Sequence, residues 1–162
     1  MTARLWAPWR MAYLTRARSG RSKKCLFCVK TDTRNPLKHR IIRRGRWAFS
    51  CLNEYPYANG HLLILPNRHV GRLQRLRTEE SLEILQLIQD GIGRLTAVYR
   101  PDGFNVGLNL GRSAGGSVPG HLHWHLVPRW AGDHNFMSAL GGTRVISEGL
   151  ARTCRRLRAA RR

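Results

Sequence analysis

Three histidines recur at every second position in the apolar run His121-Leu122-His123-Trp124-His125-Leu126-Val127. In an extended strand that period sends all three imidazoles to one face and Leu122, Trp124 and Leu126 to the other. The strand thus has a side suited to packing and a side suited to chemistry. Imidazole can be nucleophile, proton donor or metal ligand near neutral pH, so three on one face exceed what packing asks for. The bland alternative is three unrelated surface histidines.

The twelve residues before the strand, Asn109 to Gly120, are rich in glycine and small polar side chains. Glycine lets backbone amides approach a ligand closely, and amides in a tight loop can cradle an anionic oxygen. The same composition could make a plain flexible turn. Beside three candidate catalytic imidazoles, the anion-binding reading is preferred.

The rest of the chain supplies a scaffold for such a strand. Segments 46–52, 61–66 and 103–109 have strand character, and the turn residues of 53–60 predict an antiparallel pair from the first two. Thr78-Glu79-Glu80-Ser81 predicts a helix start, with a hydroxyl at the N-cap and carboxylates in the first turn. Leu82, Leu85, Ile88, Ile92 and Leu95 follow at helical spacing until Pro101, a stripe expected to lie on the sheet, with Gly91 and Gly93 weakening the helix locally. The expectation is an α+β fold, an antiparallel sheet of about five strands carrying one long helix.

The 162 residues suit one compact unit: an aromatic arm and basic linker over 1–24, a catalytic domain over 25–140 and a basic segment over 141–162. That last segment reads as a solvated cationic tail, with a frayed helix as the alternative. A formal net charge of +20 favours polyanionic ligands, nucleic acid among them, although no RNA-binding signature or aromatic platform accompanies it. The arginines of the first twenty residues interrupt any export signal, and no apolar run could span a bilayer, so a cytoplasmic protein without membrane contact is expected. Cys25, Cys28, Cys51 and Cys154 are then reduced thiols or metal ligands. Cys25-Leu26-Phe27-Cys28 has the spacing of half a zinc site or of a dithiol redox pair, and its polar flanks favour metal.

The His-x-His-x-His run with its preceding Gly/Ser-rich loop resembles the histidine-triad superfamily of nucleotide hydrolases and transferases. Leu5 to Leu14 and Arg129 to Met137 resemble segments of the subgroup that acts on diadenosine polyphosphates, with His134 a departure from its pattern. The resemblance implies that His123 attacks an α-phosphorus and that the first triad residue orients it through its backbone carbonyl. It places His125, Gly116, Ser117 and Asn109 near the phosphate oxygens, the last across a one-residue gap at Pro119-Gly120. It gives Asn53 a ribose-hydroxyl role and puts His61 behind the triad; taken alone, these two are a turn-forming Asn and a strand-end His. It completes a structural zinc site from Cys25, Cys28, His69 and His121, against the alternative of idle thiols and a solvated His69. It also implies a homodimer and a purine nucleotide or dinucleoside polyphosphate substrate, with water or phosphate as acceptor. The competing class is a basic nucleotide- or nucleic-acid-binding protein with little catalytic activity.

Overall fold

A computed structural model describes residues 25–31, 35–111, 113–114, 118, 120–133 and 146–160. In chain order these give a short helix α1 (Cys28–Thr31), strands β1 (Ile41–Arg44), β2 (Ala48–Leu52) and β3 (Leu62–Pro66), and a 3-10 turn at Leu73–Arg75. A long helix α2 (Thr78–Tyr99), strands β4 (Gly103–Leu108) and β5 (Trp124–Arg129), and a C-terminal helix α3 (Leu150–Ala159) follow. The five strands form one antiparallel sheet in the order β1-β2-β3-β5-β4. The expected fold class holds. β1 has no counterpart in the sequence reading, because Ile-Ile-Arg-Arg lacks alternation and a bulge interrupts its pairing with β2.

Alternation along the strands builds two layers of apolar packing. Ala48, Leu52, Leu62, Ile64, Trp124 and Leu126 point toward α2 and α3, whereas Phe49, Cys51, Leu63 and Leu65 point to the opposite face, joined there by Phe27 and Ile41. In register, Cys51 lies beside Leu63, Leu63 beside His125 and His125 beside Gly107. The face that carries chemistry thus rests on a small apolar layer of its own.

Helix α2 begins one residue earlier than its sequence suggests. Arg77 is the N-cap and Thr78 the first helical residue; the Glu80 carboxylate, at the third helical position, accepts the Arg77 N–H at 2.9 Å and binds the Arg68 guanidinium. The buried stripe also differs from the expected one. Leu82 and Leu85 are more than half exposed, and the residues facing the sheet are Ile84, Leu87, Ile88, Gly91 and Leu95. Gly91 sets this rotation: a Cβ there would stand 2.8 Å from Leu126 Cδ2 and 3.1 Å from Leu62 Cδ1, so its lack of a side chain lets helix and sheet approach.

The basic C-terminal segment corrects the expectation of a solvated tail. Residues 150–159 are helical, Cys154 and Leu157 are buried in the layer under α2, and Arg94 ties the helix end down by donating to the carbonyls of Leu157 and Ala160 at 2.9 and 2.6 Å. Arg158 donates to the Ile41 carbonyl at 2.6 Å, adding β1 to the same dock. Two apolar residues three apart suffice because the surrounding arginines find fixed carbonyl partners.

Candidate active site and four-donor cluster

β5 starts at Trp124, so His121, Leu122 and His123 precede regular pairing. They are nonetheless held in line: Leu122 N–H donates to the Val70 carbonyl at 2.7 Å, laying the segment beside the connection that carries His69. The three imidazoles share one face, as the period-two pattern requires, with the His123 and His125 ring centroids 5.2 Å apart.

Each of the two inner rings is fixed in one tautomer by its neighbours. His123 Nδ1 lies 2.9 Å from the His121 carbonyl, which can only accept; the proton is therefore on Nδ1 and the Nε2 lone pair is free. The opposite assignment is forced on His125 by a chain of two bonds. Tyr57 N–H donates to His61 Nδ1 at 3.1 Å, so the His61 proton sits on Nε2. His61 Nε2 then donates to His125 Nδ1 at 3.0 Å, which leaves the His125 proton on its own Nε2. That Nε2 is buried and has no hydrogen-bond partner among the described residues. One imidazole thus presents a lone pair, and its neighbour an N–H.

Burial keeps both rings neutral. It pushes His61 down to about 3 and His125 down to about 4, with neighbouring imidazole charge adding to the shift, and it lowers His123 as well. Asn53 supports His61: its Nδ2 lies 3.3 Å from His61 Nδ1 and its Oδ1 accepts the Tyr55 N–H at 3.0 Å. Nothing in the sequence singles out Tyr57, whose amide sets the tautomer chain and whose ring stacks on His125 at 5.9 Å and 9°. Asn109 is half-buried just past β4 and makes no hydrogen bond to the triad; Gly116, Ser117 and His134 lie outside the described residues.

Cys25, Cys28, His69 and His121 converge, with one donor atom from each residue, all within 4.8 Å of one another. The sulfur-to-nitrogen separations are 3.5 Å for Cys25–His121, 3.3 Å for Cys28–His69 and 3.6 Å for Cys28–His121. With zinc–sulfur and zinc–nitrogen bonds of about 2.3 and 2.0 Å, a tetrahedral site has S···N edges of about 3.5 Å, and these three separations match it. His121 Nε2 donates to the Pro66 carbonyl at 3.0 Å, which turns the Nδ1 lone pair toward the sulfurs. Burial and the adjacent Cys25 push the Cys28 thiol up to about 11, and a bound cation is what would draw off its proton. The donor set fits zinc.

Comparison with known proteins agrees with this geometry. A family model for the HIT domain matches residues 34–132. The AP-4-A phosphorylase of Mycobacterium tuberculosis is 44% identical over 159 residues, covering 95% of this chain and 81% of that protein. A bis(5'-adenosyl)-triphosphatase of Saccharomyces cerevisiae is 33% identical over 56% of this chain and 44% of its own length. Among solved structures, a Zn-bound histidine triad family protein from Mycobacterium smegmatis superposes with a TM-score of 0.69 at 26% identity, covering 84% of this chain and 91% of that one. With the match spanning the sheet, the long helix and the histidine pair of opposite tautomers, this chain belongs to the HIT domain family.

Proposed function

We propose that this protein cleaves the α-phosphate linkage of dinucleoside polyphosphates or nucleoside phosphoramidates through a nucleotidyl-histidine intermediate on His123. The observation that carries this reading is the opposed tautomers of His123 and His125, a lone pair and an N–H side by side that find no partner among the described residues. His123 Nε2 attacks the α-phosphorus, an N–P bond forms, and the bond from phosphorus to the leaving group breaks: to the bridging oxygen in a dinucleoside polyphosphate, or to the amine nitrogen in a phosphoramidate, the amine taking a proton from water as it leaves. The positive charge that grows on the ring is met by the His121 carbonyl at Nδ1, while the His125 N–H supports charge on the phosphoryl oxygens. A nucleotide leaving group carries a terminal phosphate whose second ionisation lies near 6, so it departs as an anion without needing a proton. In the second step an acceptor oxygen, from water or inorganic phosphate, attacks phosphorus, the N–P bond breaks, His123 is released as neutral imidazole and the acceptor's proton passes to solvent.

Asn53 is assigned to the ribose hydroxyls, Asn109, Gly116 and Ser117 to the phosphate oxygens, and His61 to holding His125. Zinc at Cys25, Cys28, His69 and His121 would offer no coordination position to substrate, because four protein ligands leave none open. Replacing Cys28 with Ser should release about one zinc per chain and lower the melting temperature. Residues 25–140 act as the catalytic unit, with 1–24 as an arm and 141–162 as a basic segment. A cytoplasmic homodimer is the working form: β4 is a sheet edge with Val106 48% exposed, a surface that a second copy can extend. Among the described residues, no helix is long and apolar enough to cross a membrane.

The test is turnover of diadenosine tetraphosphate with and without inorganic phosphate. Products of phosphate-dependent and water-dependent cleavage differ by one phosphate, so one chromatogram names the acceptor. A labelled adduct on His123, lost in His123→Ala, is expected. Tight nucleotide binding without any turnover would instead favour a basic binding protein.

A further inference from the structure

Phe27 stands between the two halves of the site. Its backbone belongs to the turn that carries Cys25 and Cys28, closed by a bond from Val29 N–H to the Cys25 carbonyl at 3.2 Å. Its ring is buried with Phe49, Cys51 and Leu63. The ring also meets the edge of His121 at 5.6 Å and 80° and leans on His123 at 5.0 Å and 49°.

His121 is the other shared part. Its Nδ1 faces the two sulfurs, its Nε2 is spent on the Pro66 carbonyl, and its own carbonyl receives the His123 Nδ1–H. The bond to His123 exists in only one ring orientation, because a half-turn of the imidazole puts a carbon where Nδ1 stood. Ring contacts resist that half-turn, with His125 at 5.2 Å and Phe27 at 5.0 Å between ring centroids. Of these two, Phe27 is the one whose backbone is tied to the cysteine cluster.

We propose that Phe27 is a positioning residue for His123: held by the Cys25–Cys28 turn, its ring keeps the His123 Nδ1–H on the His121 carbonyl and the Nε2 lone pair open to substrate. This rests on the reading of His123 as nucleophile. The four-donor cluster therefore acts on the chemistry at a distance, through the placement of one ring. It contributes no ligand to the substrate.

The full-length zinc-loaded protein, labelled with ¹⁵N in its histidine rings, tests this in Phe27→Ala and Phe27→Leu variants. Wild-type His123 should show a single tautomer protonated at Nδ1. In Phe27→Ala that signal should become a mixture and kcat on diadenosine tetraphosphate should fall by about 10- to 100-fold, the scale of a misplaced reacting group. KM should stay within about threefold and zinc should remain bound. Phe27→Leu should fall between the two. Wild-type protein stripped with a chelator, measured while still folded, should show the same tautomer mixing. A single Nδ1–H tautomer in Phe27→Ala, or a rise in KM at unchanged kcat, would overturn the proposal and leave Phe27 a substrate contact only. Should Phe27→Ala fail to fold, an unaltered His123 tautomer in both Phe27→Leu and the stripped wild type overturns it equally. If wild type turns nothing over yet Phe27→Ala still mixes the tautomers, the assigned activity fails and the positioning role stands.

Discussion

His61 Nε2 and His125 Nδ1 are 3.0 Å apart, and the proton between them belongs to His61 because a backbone amide already occupies its other nitrogen. The side chain of His61 is fully buried, and its Nε2–H dictates which nitrogen of His125 carries hydrogen. His61→Ala frees His125 to take either tautomer and should lower kcat by roughly 100-fold, within the range of a lost proton-handling group. His61→Gln keeps a donor near His125 and should recover part of the loss. Steady-state rates with ¹⁵N shifts of His125 check both.

His123→Ala removes the atom to which the attack is assigned in the proposed mechanism; turnover should be abolished in a protein that keeps its thermal unfolding profile. His125→Ala should retain measurable activity, because it removes support for charge and leaves the nucleophile in place. A folded His123→Ala protein with wild-type rates would refute the mechanism.

The acid side of the pH profile follows from burial. His61 and His125 titrate at about 3 and 4 in the folded chain against 6.5 in the unfolded one, so the unfolded state takes up protons first as pH falls. Stability is intact above about pH 6.5 and declines below it, each group adding a slope of up to about 1.4 kcal/mol per pH unit until its folded value is reached. Activity is protected over the same window, since the rings stay neutral. The acid limb of kcat/KM should lie below 6.5, and urea midpoints should fall with pH before activity does.

Gly91→Ala places a methyl group 2.8 Å from Leu126 at the closest approach of helix and sheet. Leu126 and Leu62 are fully buried and yield only by repacking, so the higher helix propensity of alanine should be outweighed by overpacking of about 1–3 kcal/mol. Chemical denaturation measures the difference.

Leu157→Ala empties a fully buried position under α2 and should cost about 2–5 kcal/mol. The helix it belongs to packs on the sheet face opposite the triad, so kcat of the folded variant should stay near wild type. A loss of activity at full stability would mean that the C-terminal helix takes part in the site.

The face that carries the imidazoles was legible in the sequence because a strand's period is two, and His121, His123 and His125 keep to it even where regular pairing has not begun. The four donors of the cysteine cluster were named through family resemblance and converge as expected. What local pattern could not convey is choice among equals. Leu82 and Leu85 fit a helical stripe as well as Ile84 and Leu87 do, and only the close approach at Gly91 selects the second set. Tyr57 acts mainly through its amide, which every residue type has. α3 was hidden because its stability comes from arginines finding carbonyls on distant segments, Arg94 to residues 157 and 160 and Arg158 to Ile41.

The ladder between β3 and β5 is three residue pairs long, Leu62–Leu126, Leu63–His125 and Ile64–Trp124, whereas those flanking it have five and six. It joins a three-stranded half built early in the chain to a two-stranded half built later, and it spans the largest sequence separation in the sheet. Closing so long a loop for so few bonds makes this seam a late event in folding and an early one in fraying. His61 and His125 meet across it. Either half could hold its shape in a partly opened molecule, yet the tautomer chain would already be cut, so catalytic competence marks the completed sheet, and amide exchange along Leu62 to Ile64 would time its arrival.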